Sequence, residues 1–485
     1  MATQLELSLM ANRAYQSSPS RTPINTSPAP DGWEEKRHDV NPDSGFEAVS
    51  FQRGNEIVIS FAGTYPKSGA DLLADIELAA GNLHQQLIDA ALYYCEIKVA
   101  NPEAVISFTG HSLGGGLAAV MGVFFDKQAV TFDPAPFLKT AASNTSDYDP
   151  YETLLILLRQ ENISEEILEP LVQYVDQPEL FAIREQNVTG LSVEGEILSV
   201  GASNAFRIGE QQQLAHGTPD AGGVNLHSMA LLTAFLQNHD FRQVTFKLPD
   251  LLRLVFDSDL YNFPTDEDKE SFIDRLVRYE FGNAPGAVDS DMLTRFTEDM
   301  EKIAQEGGMT MEITADLTKA LIAFAMQAYY EDKLGTSERL FNNDGVSGGL
   351  HFDRTKVSDT LAESKGFTYF NDFLLRYPAQ ERTVILEKIP GLQDWYIQAG
   401  TQAMTATAGD KSAFMLGGTG SDTLTGSDQA DLLIGGDGAD ILNGGGGENW
   451  LYGGDGIDTF VVGSGINHIH DTDGSGIIKD QEGNI

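Results

Sequence analysis

Strand-like and helix-like spacings of apolar residues alternate along the first half of the chain. Phe46 to Phe51 and Glu56 to Phe61 are short alternating runs joined by Arg53-Gly54-Asn55, which predicts a β-hairpin. Ala70 to Ala80 and Leu83 to Ala100 carry helical periodicity. Ala104 to Phe108 is a strand-like apolar run, and apolar residues at 113, 117, 120, 121 and 124 then return to a helical spacing. Ala129 to Phe132 predicts another strand, residues 138 to about 185 an acidic helical insertion around Leu154 to Leu158, and Val188 to Val193 a further strand. A Gly-rich loop, Gly217 to Val224, leads to a helix over Ala230 to Leu236. Residues 1 to about 45 are polar, and Ser17 to Asp31 reads as a loop. Strands alternating with helices over residues 1–240 predict an α/β domain with a largely parallel sheet.

The pattern then changes. Residues 241–410 read as a mainly helical region, with helical spacings such as Leu293, Phe296, Met300 and Ile303. His351 is the polar oddity of this region, and lone histidines are usually structural. From 411 to 463 glycines recur every nine residues, at 417, 426, 435, 444 and 453, in the units GGTGSDTLT, GSDQADLLI, GGDGADILN, GGGGENWLY and GGDGIDTFV. Residues 464–485 form a tail in which Asp471-Thr472-Asp473-Gly474 is a short acidic turn.

Composition narrows the partners. The 485-residue chain has 31 Lys+Arg against 72 Asp+Glu, a formal net charge of −41. Nucleic acid is excluded as a partner, and anionic membrane surfaces are disfavoured, whereas neutral or zwitterionic lipid surfaces are not. No apolar run is long enough to span a bilayer, so an integral membrane protein is not expected. No N-terminal secretory signal is visible in Met1 to Arg21. Cys95 is the single cysteine and lies in the helical pattern Leu83, Leu87, Ala91, Tyr94, which predicts a core thiol.

The candidate chemistry centres on Gly110-His111-Ser112-Leu113-Gly114. Strand, sharp Gly-x-Ser-x-Gly turn and helix are the context of a nucleophile elbow. Side chains at 110 and 114 would collide with the tight turn, and the following N–H groups lie at a helix N-terminus, where an oxyanion can be held. Ser112 needs a base oriented by a carboxylate. Of nine histidines, His111 is expected to point away from its neighbour and His84 lies upstream. His227 follows the last expected strand and is the leading base, with His216 the alternative. Glu196 is the leading acid, Asp133 the alternative and Glu194 a third, because strand alternation puts 194 and 196 on one side.

Phe61-Ala62-Gly63-Thr64, the GHSLGG elbow and the late His227 together resemble the class 3 lipase branch of the α/β-hydrolases over residues 45–240. The resemblance implies an α/β-hydrolase domain, a serine carboxylic ester hydrolase activity through an acyl-enzyme, and oxyanion donors at Thr64 and the Leu113 N–H. Ala62 stands where that family usually has Arg, and Glu196 where it usually has Asp. The family's lid maps to Tyr65 to Gly81, although a core helix would show the same pattern, and the insertion 138–185 is a competing cap.

The nonapeptides resemble the calcium-binding parallel β-roll of RTX proteins. That resemblance implies stacking of units eighteen residues apart, with Ca²⁺ held by the sixth position of each, here Asp422, Asp431, Asp440, Asn449 and Asp458. The odd stack is intact, which predicts two good sites, Asp422/Asp440 and Asp440/Asp458. The even stack has Ser427 and Gln429 in glycine positions and neutral Asn449, which predicts a weak or absent Asp431/Asn449 site. The resemblance further implies type I secretion and folding outside the cell. A secreted lipase acting on lipid or ester substrate at an interface is the leading expectation, with phospholipase A1 or polyester hydrolase as alternatives. A calcium-dependent adhesion protein with a vestigial hydrolase domain is the reading of another class.

Overall fold

Seven strands in chain order make the sheet of the N-terminal unit: β1 (Glu34–Asn41), β2 (Phe46–Arg53), β3 (Glu56–Phe61), β4 (Val105–His111), β5 (Ala129–Phe132), β6 (Val188–Val193) and β7 (Glu210–Leu214). Strands β1 to β3 are antiparallel and β3 to β7 parallel. The structure, a computed structural model, describes residues 1–16, 27–63, 69–142, 150–199, 206–260, 271–280, 291–306, 315–330, 339–356, 364–398 and 400–485. It divides into two compact units, Met1–Gln243 with Phe263–Ser290, and Val244–Asn262 with Asp291–Ile485. The roll 411–463 lies in the second unit, as does most of the region 241–410, while Phe263–Ser290 falls in the first.

The polar N-terminal stretch holds a helix ahead of the loop expected over Ser17 to Asp31, of which residues 17–26 lie outside the described residues. Helix α1 (Gln4–Arg13) starts with a reciprocal capping box, Thr3 accepting from the Glu6 N–H and Glu6 from the Thr3 N–H. It packs on β3, β4 and β5. The Ser60 hydroxyl donates to the Met10 carbonyl at 3.1 Å, while Ile57, Ile59 and Phe61 enter the core on the other face. Both faces of the central strands are thus covered, and these strands are apolar almost throughout. Strand β1 (EEKRHDVN) has no apolar alternation because it is a charged edge, a composition that discourages pairing with another chain.

Helix α2 (Gly69–Ala100) is one 32-residue helix where two were expected. Helix α3 (Leu113–Phe125) is buried at every position. The insertion forms α4 (Leu138–Ala142), α5 (Pro150–Gln160), α6 (Glu165–Asp176) and α7 (Phe181–Arg184). Leu154, Leu155, Leu158, Leu168, Leu171 and Tyr174 share one core with α3. Arg184 Nη1 donates to the Val123, Phe124 and Pro170 carbonyls at 3.2, 3.2 and 2.8 Å, closing the C-terminal end of α3. Helices so deeply packed do not have the shallow burial of a mobile cap. Of the alternative lid, Tyr65 to Ser68 lie outside the described residues. Cys95 is fully buried, and burial pushes its thiol up to about 12, as expected for a core thiol.

In the second unit the roll is longer than its nonapeptides. One sheet runs Ile466–His470, Glu448–Asp455, Leu432–Asp437, Ala413–Leu416, Asp394–Ile397, Leu350–Asp353. The other runs Ile477–Asp480, Thr459–Val462, Ile441–Asn443, Thr423–Thr425, Thr405–Thr407, Val346–Ser347. Parallel pairs such as Leu432↔Trp450 and Thr423↔Ile441 hold the expected eighteen-residue step. The region read as mainly helical therefore supplies the first rungs, and the tail 464–485 supplies the last. Trp395 explains the former: its ring meets Phe324, Phe352, Phe370 and Phe414 within 6.1 Å, so strands and helices share one aromatic core. In the tail the register survives the loss of the motif because Trp450 stacks on His468 and Tyr452 on His470, at 5.0 and 4.7 Å.

If α5 belongs to the core, Leu158→Ala, at a fully buried site, lowers unfolding free energy by about 2–5 kcal/mol. Denaturant titration reads this, and a loss of a few tenths only would restore the mobile-cap reading.

Candidate active site and calcium turns

Ser112 sits between β4 and α3 at φ 57, ψ −124, a left-handed conformation that a side chain tolerates only when the surroundings enforce it. The surroundings do. A Cβ on Gly114 would lie 2.1 Å from the Phe61 carbonyl oxygen, and one on Gly110 would lie 2.5 Å from that of Gly114. The end of β3 therefore rests directly on the first turn of α3. The Ser112 N–H donates to the Phe132 carbonyl at 3.0 Å, and its own carbonyl accepts from Gly116 and Ala135 at 3.1 and 2.9 Å. Its hydroxyl is buried and has no partner among the described residues. The Leu113 N–H lies in the first turn of α3, and Thr64 lies outside the described residues.

The carboxylates separate by geometry. Strand β6 stops at Val193, and Gly195 at φ 81 turns the chain, so alternation does not continue through 194 and 196. Glu194 is exposed, whereas Glu196 is fully buried. Its Oε2 lies 2.8 Å from His227 Nδ1 and accepts the Leu198 N–H at 2.8 Å, while Oε1 accepts from Arg207 Nη2 at 2.5 Å. The Ile197 N–H donates to the Gly223 carbonyl at 2.9 Å, joining this loop to α8 (Gly223–Leu226), which ends at His227. Helix α9 (Met229–Gln237) then begins with Ser228 capping the Leu231 N–H. Burial would raise the Glu196 carboxyl, but His227, Arg207 and the Leu198 N–H outweigh it and hold it below the usual range. His227 Nε2 is buried with no hydrogen-bond partner among the described residues. His216 instead approaches the Glu194 carbonyl, 3.0 Å from its Nε2, and is partly exposed.

Asp133 does not contact His227 by a hydrogen bond. Its Oδ1 accepts the Val193 N–H at 3.1 Å, and its Oδ2 has no hydrogen-bond partner. Burial first, and the charge of Glu196 second, push its carboxyl well above the usual range. His111 does not point away from the site as expected. Its Nε2 donates to the His227 carbonyl at 3.1 Å, its Nδ1 accepts from the Tyr15 hydroxyl at 2.7 Å, and the two imidazole centroids are 4.7 Å apart. Sequence reasoning missed Tyr15, Arg207 and this role of His111. Arg207 could have been suspected, since a buried carboxylate in so acidic a chain needs one of its few cations. Tyr15 had no signal beyond its position after a capped helix.

In the roll, Asp422, Asp440 and Asp458 are buried and stacked. Asp440 Oδ1 accepts the Asp422 N–H at 2.7 Å, and Asp458 Oδ1 the Asp440 N–H at 2.9 Å. Oδ2 of Asp440 and of Asp458 are buried without a partner, and burial lifts the Asp440 carboxyl to about 7. Unpaired buried carboxylate oxygens beside glycine turns fit the oxygen ligation of Ca²⁺. The even column satisfies itself. Asp431 accepts from the Ala413 and Ser427 N–H groups at 2.6 and 2.7 Å and from the Ser427 hydroxyl. Asn449 Nδ2 donates to the Gly446 carbonyl and to Asn467 Oδ1, presenting a donor where a cation needs an oxygen. In the turn after the repeats, Asp471 Oδ2 accepts the Gly476 N–H at 2.6 Å and Asp473 Oδ2 the Gly456 N–H at 3.2 Å. His351 is structural: Nδ1 meets Asn342 Oδ1 at 2.6 Å and the ring stacks on Tyr396 at 4.4 Å.

Residues 8–230 match the Tle-like phospholipase domain family, and residues 416–451 and 452–475 match the RTX calcium-binding nonapeptide repeat. The chain is thus lipase-like, with C-terminal RTX repeats that bind calcium. Over 98 residues it is 36% identical to the extracellular phospholipase A1 of Serratia liquefaciens; the match covers 20% of this chain and 29% of that protein's length. Two structures of the Rhizomucor miehei lipase propeptide complex, the native form and a deletion mutant, align at 13% identity. Their TM-scores are 0.24 and 0.25, with 44% of this chain and 69% and 68% of theirs covered.

Two outcomes are expected. Because its folded carboxyl is held low, Glu196 contributes stability that is full above the ordinary carboxylate pKa and lost as pH falls through the lowered value. Arg207→Met should cost about 3–5 kcal/mol near neutrality and begin the acid loss at higher pH, as read by urea titrations across pH. Calorimetry should count two tight calcium ions, with Asp440→Asn removing both and Asp431→Asn neither; three sites of equal affinity would contradict the odd-column assignment.

Proposed function

We propose that the protein is a secreted serine hydrolase of lipid carboxylic esters, with an α/β-hydrolase-type domain in its first 240 residues. Ser112 is the nucleophile, His227 the general base and Glu196 the orienting acid. The observation that carries this reading is the 2.8 Å hydrogen bond between buried Glu196 and His227 Nδ1, in the same unit as a serine held at φ 57. With Nδ1–H directed at the carboxylate, His227 Nε2 keeps its lone pair and takes the Ser112 proton as Oγ attacks the ester carbonyl. The negative charge on the tetrahedral oxygen is held by the Leu113 N–H at the α3 N-terminus and, in this proposal, by Thr64. Collapse expels the alcohol, which takes the proton from His227. Water, deprotonated by the same nitrogen, then releases the acid from the acyl-enzyme. Asp133 is not assigned the orienting role, since its carboxylate is turned to the Val193 N–H and His111.

Phospholipid acyl esters are the proposed substrate class, supported by the phospholipase family match and by the name of the Serratia relative. The charge of −41 favours a zwitterionic lipid–water interface over an anionic one. Asp422, Asp440 and Asp458 hold Ca²⁺ in the odd column. Their repulsion without metal couples roll folding to calcium and suits type I export followed by folding outside the cell.

A fluorophosphonate probe should label the calcium-loaded protein and not Ser112→Ala. Absence of label on folded wild type would favour the adhesion reading. Glu196→Gln should lower kcat by about 10⁴ through loss of the histidine tautomer, with Asp133→Asn far milder; the reverse order would reassign the acid. Phosphatidylcholine, triacylglycerol and short-chain esters assayed side by side with Ca²⁺ decide the substrate class, and a preference for triacylglycerol would overturn the phospholipid assignment.

A further inference from the structure

The cluster behind the proposed base holds more metal-binding chemistry than ester hydrolysis uses. One ligand atom from each of His111, Asp133 and His227 lies within 4.8 Å of the other two, and all three residues are buried. His111 Nε2 and Asp133 Oδ2 are 3.7 Å apart. Two ligands of a tetrahedral zinc, with bonds of about 2.1 Å, are separated by about 3.4 Å, so this pair already approaches the span. Asp133 Oδ2 and His227 Nε2 are both buried without a hydrogen-bond partner among the described residues. Such atoms are costly to leave bare.

The neighbours complete the arrangement. Glu196 on His227 Nδ1 is the carboxylate–histidine pairing that supports zinc-ligating imidazoles, fixing the tautomer and leaving Nε2 to the metal. Tyr15 lets His111 change roles. Its hydroxyl lies 2.7 Å from His111 Nδ1 and 3.3 Å from the His111 carbonyl oxygen. It can donate to that carbonyl and accept from Nδ1–H, which moves the imidazole proton to Nδ1 and frees Nε2 as a ligand.

We propose that His111, Asp133 and His227 form an inhibitory site for a borderline divalent transition cation of the Zn²⁺ class. A metal on His227 Nε2 occupies the lone pair that must accept the Ser112 proton, so the bound state is inactive. Two imidazoles and one carboxylate select against hard cations, so the calcium that loads the roll does not compete. The same chain is then folded by one divalent cation and silenced by another.

The test uses the calcium-loaded full chain carrying Ser112→Ala, which keeps all three ligands and separates binding from hydrolysis. Titration calorimetry with zinc chloride should show a site whose affinity falls about tenfold or more in His111→Gln and in Asp133→Asn added to that background; either variant suffices if the other fails to fold. Cobalt(II) at the site should give the intense visible bands of tetrahedral coordination, lost in the same variants. Unchanged zinc affinity in both, or an octahedral cobalt spectrum, would overturn the proposal. In wild type, zinc should block hydrolysis and a zinc-selective chelator restore it; hydrolysis that persists at saturating zinc would also overturn it. Absence of hydrolysis in metal-free-site, calcium-loaded wild type would count against the catalytic reading alone, leaving the calorimetry to decide the metal site.

Discussion

A carboxylate with no access to water organises the N-terminal unit's site. Glu196 is fully buried, and an ionised side chain there is tolerable only if cations and N–H donors replace its hydration. Arg207, His227 and the Leu198 N–H meet that demand together, drawing three separate loop positions to one point. Arg207 is held in turn by donating to the Ser192 hydroxyl at 2.7 Å. A second buried carboxylate, Asp133, shares the neighbourhood, and the two cannot both carry charge comfortably. Glu196 has the partners, so its ionised form is favoured and Asp133 is pushed towards the protonated form.

The elbow obeys a steric constraint of the same severity. Ser112 occupies a backbone region that costs on the order of 1–3 kcal/mol, stabilised by contacts that glycines at 110 and 114 alone permit. His111 connects the two constraints. It precedes the strained serine and donates to the main chain of His227, so the position of His227 is tied to the strand that presents Ser112.

The roll expresses a different principle, repetition with a defect in one column. Odd units stack carboxylates, and the second oxygens of Asp440 and Asp458 lack partners among the described residues, while even units fill that place with a serine hydroxyl and an amide. The proposed assignment of calcium to the odd column rests on that difference.

Periodicity and motif spacing made much of this legible in advance. The hairpin at Gly54, the strand–turn–helix at Ser112, the insertion's helices and the eighteen-residue stacking all follow from local patterns, because each depends on neighbours within one or two turns of chain. The odd–even asymmetry was readable for the same reason. What local pattern could not reach was pairing across the chain. Edge strand β1 lacks strand-like alternation and the flanking rungs of the roll are short, so their places are decided by the sheets they join. Helix α1 announced itself only through a capping box. Glu194 and Glu196 are two residues apart, strand alternation alone does not separate them, and a single glycine at φ 81 exposes one and buries the other. The sequence by itself determined the nucleophile turn, the repeat and the ion it suits, all properties of short segments. Only the tertiary structure decided which carboxylate meets His227 and which arginine makes its burial tolerable, because a charge removed from water takes its partners from wherever the fold brings them.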